Sequence, residues 1–119
     1  MDDGPACGAG KSRAFALRVV KSCQYLRTRK SEYVLSKQLL RSGTAIGALV
    51  REAEYAESRA DFIHKMHMAL KEANETDYWI DLLSEAGYFG PDAGLSMRAD
   101  CQELLRILIA IIKTAKSQR

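Results

Sequence analysis

The stretch Leu35–Leu83, LSKQLLRSGTAIGALVREAEYAESRADFIHKMHMALKEANETDYWIDLL, decides the fold. It holds no proline, and its apolar residues recur at helical spacing from end to end. Leu35, Leu39, Ser42, Ile46, Leu49, Ala53 and Ala56 advance by alternating steps of four and three, which lines them along one stripe of a helix. Phe62, Met66, Ala69, Ala73, Thr76, Ile80 and Leu83 repeat the pattern after a break. At the break, Ser58 precedes Asp61 by three residues, the spacing of a capping box with Asp in the usual Glu or Gln position. Two long helices joined by a tight turn are expected.

Working outward, Phe15, Val19, Cys23 and Leu26 form the inner stripe of a preceding helix, widened by Leu17 and Val20. The segment TRKSE interrupts it, and Ser31 is read as the N-cap of the second helix. Residues 1–11 are expected to be a disordered arm ahead of a single domain over 12–119. Their GAGKS is not a phosphate loop: Pro5 stands where the first glycine must be, and no hydrophobic strand leads in. After Leu83, Gly87 suits a helix C-cap and Pro91 reads as a stop. The last helix has Leu104, Leu105, Leu108, Ile109, Ile111 and Ile112 nearly all round its middle, so it requires cover on more than one side. Helices are predicted at 12–28, 32–57, 58–86 and 95–117, with no segment of strand period. The fold class is all-α, an antiparallel up-down-up-down four-helix bundle.

The 119 residues suffice for one core; 28% are charged and 47% hydrophobic, ordinary values for a globular protein. No run approaches the ~20 apolar residues of a membrane span, and Asp2 and Asp3 at the start do not read as a secretory signal. Cys7, Cys23 and Cys101 match no zinc spacing, and two of them occupy apolar helix positions. A reduced, cytoplasmic protein without metal is expected. Ser42, Gly43, Thr44, Ala45, Gly47 and Ala48 place small residues inside the second helix, for tight packing within the bundle or for a contact between subunits.

Charge is segregated: residues 1–41 carry net +6, residues 42–103 net −7 and residues 104–119 net +4. The candidate nucleic-acid residues are Arg27, Arg29, Lys30, Lys37 and Arg41, around the first turn. The opposing expectation is that Asp77, Asp81, Glu85 and Asp100 share that end of the bundle. Lys113 and Lys116 are likewise expected beside Glu52, Glu54, Glu57 and Asp61. Helix three also carries a polar face of Asp61, Lys65, Lys71, Glu72, Glu75, Tyr78 and Trp79. Asp61 and His64 have the spacing of a di-iron bundle element, but the second element is missing, since His67 lies on the same helix. Glu72 and Glu75 have no nucleophile or anion-binding loop beside them, so no catalytic residue and no cofactor is assigned.

The run Gln38–Leu83, with LLRSG, ADFIHKM, ALKEANET and YW in order, resembles the motif core of the four-helix bundle proteins encoded in intervening sequences of bacterial 23S ribosomal RNA genes. Cys101 to Leu104 fits as well, and the likeness covers nearly all of residues 12–117. The resemblance implies a left-handed bundle that assembles as a homo-oligomer, commonly a pentamer, with no established enzyme activity. The chain is more distantly similar to the accessory variability protein of diversity-generating retroelements, a basic pentameric bundle that engages nucleic acid. Leu49 and Arg51 depart from the family pattern, where asparagine and alanine are frequent, and Glu52 is retained. The reading is a non-enzymatic, self-associating bundle and nucleic-acid-associated scaffold, with RNA or DNA as partner. The alternatives are a protein-interaction adaptor or an enzyme of unassigned chemistry.

Overall fold

The computed structural model describes residues 8–118. Four helices account for most of them: α1 Ala9–Arg29, α2 Leu35–Glu54, α3 Arg59–Glu85 and α4 Pro91–Ser117. There is no strand among the described residues. The body measures 50 × 24 × 20 Å, little longer than a 27-residue helix at about 1.5 Å per residue.

The break at Ser58 is where the spacing put it. Ser58 Oγ accepts the Asp61 amide at 3.1 Å, while Asp61 Oδ2 accepts the Glu57 amide at 3.2 Å. The reciprocal half of the capping box thus reaches one residue further out than usual. Other boundaries move. Residues 1–7 of the expected arm lie outside the described residues, and the rest is helix from Ala9. Ser12 is buried there, with its backbone carbonyl 3.4 Å from where a Gly47 Cβ would sit. Packing on α2 therefore overrides the poor helix propensity of Gly10. Pro91 opens α4 instead of stopping α3, since a first-turn proline lacks only an amide hydrogen that has no helical partner. The stop comes from Gly87 (φ +88), with Tyr88 N donating to Leu83 O and Gly87 N to Ser84 O in a Schellman arrangement.

The core is the expected stripes with small rotations. Phe15, Val19, Cys23 and Leu26 are buried on α1, as are Met66, Ala69, Ala73, Thr76, Ile80 and Leu83 on α3. Val50 is buried on α2, with Leu49 only packed against its edge, and Leu17 does not widen the α1 stripe but is 49% exposed. On α4, Leu104, Leu108 and Ile112 point inward, whereas Ile109 is 46% exposed. Consecutive helices pack extensively; the α1–α4 seam is the sparsest of the four. It is crossed by Lys11–Glu103 at 3.1 Å, Arg18–Asp100 at 2.6 Å and Ser22 Oγ to Met97 Sδ at 3.6 Å.

Ser42 and Gly43 of the small-residue run are spent inside the chain, while Ala48 is exposed. Thr76 Oγ1 donates to Ser42 Oγ at 2.9 Å in the buried α2–α3 contact. A Cβ on Gly43 would lie 2.8 and 2.9 Å from the two Val19 methyls. Gly43 and Gly47 therefore serve the α1–α2 approach and give no support to a subunit contact. Gly43→Ala gains about 1 kcal/mol of helix propensity, but must push a stiff, fully buried valine. A net loss of about 1–3 kcal/mol is expected from overpacking. Urea unfolding measures it, and an unchanged or raised midpoint would contradict the close approach.

Candidate nucleic-acid interface

The turn between α1 and α2 is built around one carboxylate. Glu32 is 8% exposed; its Oε1 accepts the Ser36 amide at 2.7 Å, and its Oε2 accepts those of Leu35 (3.0 Å) and Val34 (3.2 Å). Ser36 Oγ donates back to the Glu32 carbonyl at 2.9 Å. Glu32, not Ser31, supplies the cap of α2. Ser31 instead takes φ +53, reversing the chain so that the Glu32 amide reaches Leu26 O at 2.9 Å. Burial raises the Glu32 pKa, but the amide hydrogen bonds from Leu35, Ser36 and Val34 outweigh it and hold the carboxyl below its ordinary range.

With the acid folded inward, the turn presents cations outward. Arg29, Lys30 and Lys37 are exposed and Arg27 is half-buried. Arg41 does not join them. Its guanidinium bridges Glu72 (3.2 Å) and Glu75 on α3, and Glu75 also accepts the Trp79 indole N–H at 2.9 Å. The Trp79 and Arg41 hydrogen bonds hold the Glu75 pKa down, and the Glu75 bond raises that of Arg41. Tyr78 stacks edge-on to Trp79, with centroids 5.0 Å apart.

The acids expected to neutralise the turn are largely engaged elsewhere. Asp77 and Asp81 pair with Arg98 at 3.0 and 3.2 Å, and Asp100 pairs with Arg18. Glu85 remains exposed at the end of α3. At the opposite end the expected partners also differ. Lys65 takes Glu52 at 3.3 Å, and Arg59 donates to the Gln118 carbonyl, while Lys113 and Lys116 stand exposed. Asp61 is used in the α3 cap, Lys71 and His64 are exposed, and His67 is half-buried. Among the described residues, no group of three His, Cys, Asp or Glu could hold a metal. No helix among them is long and apolar enough to cross a membrane.

The two described cysteines are core hydrophobes. Cys23 Sγ donates to Ser36 O at 3.3 Å and Cys101 Sγ to Ala73 O at 3.2 Å. Burial pushes their pKa values up to about 11 and about 12. Neither thiol is poised as a nucleophile.

The sequence model of the 23S rRNA-intervening sequence protein family matches residues 9–110. The chain belongs to this family. It is also similar to a crystal structure from Bacteroides thetaiotaomicron, that of a protein of unknown function from the S23 ribosomal protein family. The two share 50% identity over 88% of this chain and 94% of the other, with a TM-score of 0.87. No functionally curated protein matches. Sequence reasoning had placed the four turn cations but missed Glu32. The signal in the sequence is an acid two to four residues ahead of the α2 amides it caps.

Because the native carboxyl is held below the unfolded value of ~4.3, its stabilisation is complete above that pH. It is lost as pH falls through the lower native pKa. Glu32→Gln is expected to cost about 1–2 kcal/mol at neutral pH, with the gap to the parent closing on acidification. Urea midpoints measured across the acid range test this; a gap independent of pH would exclude the ionised cap.

Proposed function

We propose that this chain is a non-enzymatic, cytoplasmic scaffold that self-associates and holds RNA or DNA by phosphate contacts at the α1–α2 turn. The observation that carries the reading is the unneutralised charge of Arg27, Arg29, Lys30 and Lys37. Among the described residues none of these cations is in an ion pair, whereas Arg98 and Arg18 take Asp77, Asp81 and Asp100. The antiparallel up-down-up-down order is supported by the contacts along each helix pair. On α2 and α3 these run from Arg41–Glu72 to Glu52–Lys65, and on α1 and α4 from Lys11–Glu103 to Ser22–Met97. The left-handed twist follows from the family resemblance.

Self-association into a closed homo-oligomer, with a pentamer favoured by the resemblance, is supported by apolar surface at the far end. Phe62, Ile107, Ala110 and Ile111 line an open groove there, and Ile109 is exposed on another face of α4. Subunits related by a closed symmetry gather one turn from each protomer, so a modest net charge becomes a ring of field. The same groove favours the adaptor reading as the alternative, in which a protein partner fills it. Light scattering is expected to give a mass several times 13.3 kDa, and a stable monomer would refute self-association.

Binding to a labelled duplex is expected to weaken by ~0.9 log units per log unit of salt for each phosphate neutralised. Sequence preference should be slight, because nothing at the turn is matched to base edges. Substituting Arg27, Arg29 and Lys30 together by alanine should flatten the salt slope by about 3 with helical content intact. Arg41→Ala should leave the slope unchanged, because that side chain is tied to Glu72 and Glu75. No binding at low salt would leave the adaptor reading in place.

A further inference from the structure

Tyrosines interleave the cations of this turn. Lys21, Tyr25 and Arg29 are successive fourth residues, so they follow one another along a single face of α1. All three are exposed, Tyr25 to 42%. Along the sequence Lys30, Tyr33 and Lys37 continue the alternation into α2, with Tyr33 60% exposed and Val34 beside it 73% exposed. An aromatic side chain left in water forgoes a large burial gain, and these two rings have no aromatic partner among the described residues. Within residues 21–37 the only acid is Glu32, and it is turned inward onto backbone amides. From Lys21 to Lys37 the chain therefore exposes alternating cations and aromatic rings, with no exposed carboxylate among them.

We infer that this basic, tyrosine-bearing segment takes single-stranded nucleic acid, with bases stacking on Tyr25 and Tyr33 and phosphates on Lys21, Arg29, Lys30 and Lys37. The inference rests on the phosphate-binding reading above and adds the strandedness of the ligand. A duplex keeps the flat faces of its bases stacked inside and offers the rings only base edges, sugar and phosphate. An unpaired strand exposes the flat face of every base, and stacking on an aromatic side chain is tolerant of sequence. The Glu32 cap adds preorganisation: three amide hydrogen bonds fix the backbone on which Tyr33 and Lys37 stand, so less ordering remains for binding to impose.

The test compares a labelled oligonucleotide of about a dozen nucleotides with the duplex of the same sequence, by fluorescence anisotropy at one salt concentration. The single strand is expected to bind more tightly. Tyr33→Ala and Tyr25→Ala should each weaken it at least about fivefold while leaving duplex affinity unchanged. Tyr→Phe at either position, which keeps the ring, should restore the affinity, and circular dichroism checks that every variant is folded. Equal affinity for both forms, or alanine variants that bind the single strand as well as the parent, would overturn the stacking track. In that outcome salt-dependent duplex binding would survive, and only the strandedness would fall. Absence of binding to either form would overturn both.

Discussion

The buried Glu32 carboxylate is the constraint on which the α1–α2 end depends. A carboxylate with little access to water is costly unless its oxygens are satisfied, and three amides of the incoming α2 satisfy them. Those amides would otherwise be orphan donors at a helix start, so one side chain solves two problems. The geometric consequence is larger than the energetic one. With the only acid of the segment pulled inward, every charge it presents to solvent is positive. The reversal at Ser31, in a backbone region costing a non-glycine residue about 1–2 kcal/mol, is held by the same arrangement.

Most of the fold was legible because its determinants are local and periodic. The α3 stripe from Met66 to Leu83 is the clearest case: six residues at alternating steps, all buried, behind a serine cap that spacing alone located. What resisted reading was decided by partners distant in sequence. Gly10 is helical because Ser12 packs on α2, and Leu17 is exposed because it lies nearly opposite the buried Phe15–Val19–Cys23 stripe of α1. Pro91 is compatible with a stop and with a first helical position, and only the Gly87 turn ahead of it distinguishes them.

The site was legible to a lesser degree, for a related reason. Charge blocks along a sequence say which residues are basic, not which are already paired. Arg41 looked equivalent to Arg27 and Lys37, yet it faces Glu72 and Glu75 across the α2–α3 contact. Asp77 and Asp81 looked like neutralisers of the turn, yet Arg98 from α4 reaches both. Pairing depends on which helix faces which, and at what rotation. Composition fixes none of that.

The sparse α1–α4 seam gives the molecule an ionic edge. Elsewhere the helices are joined by buried apolar stripes, whose cohesion is insensitive to screening by simple salt. This one seam is also crossed by the partly exposed pairs Lys11–Glu103 and Arg18–Asp100, and such pairs weaken as ionic strength rises. Helices α1 and α4 thus have the least cohesion on this flank, where the medium can tune their attachment. Local opening in a folded protein starts where the buried apolar contact is thinnest. Helix α1, which borders this seam together with α4, bears half of the basic turn, so added salt weakens the seam's ion pairs and screens the turn's charge in the same stroke.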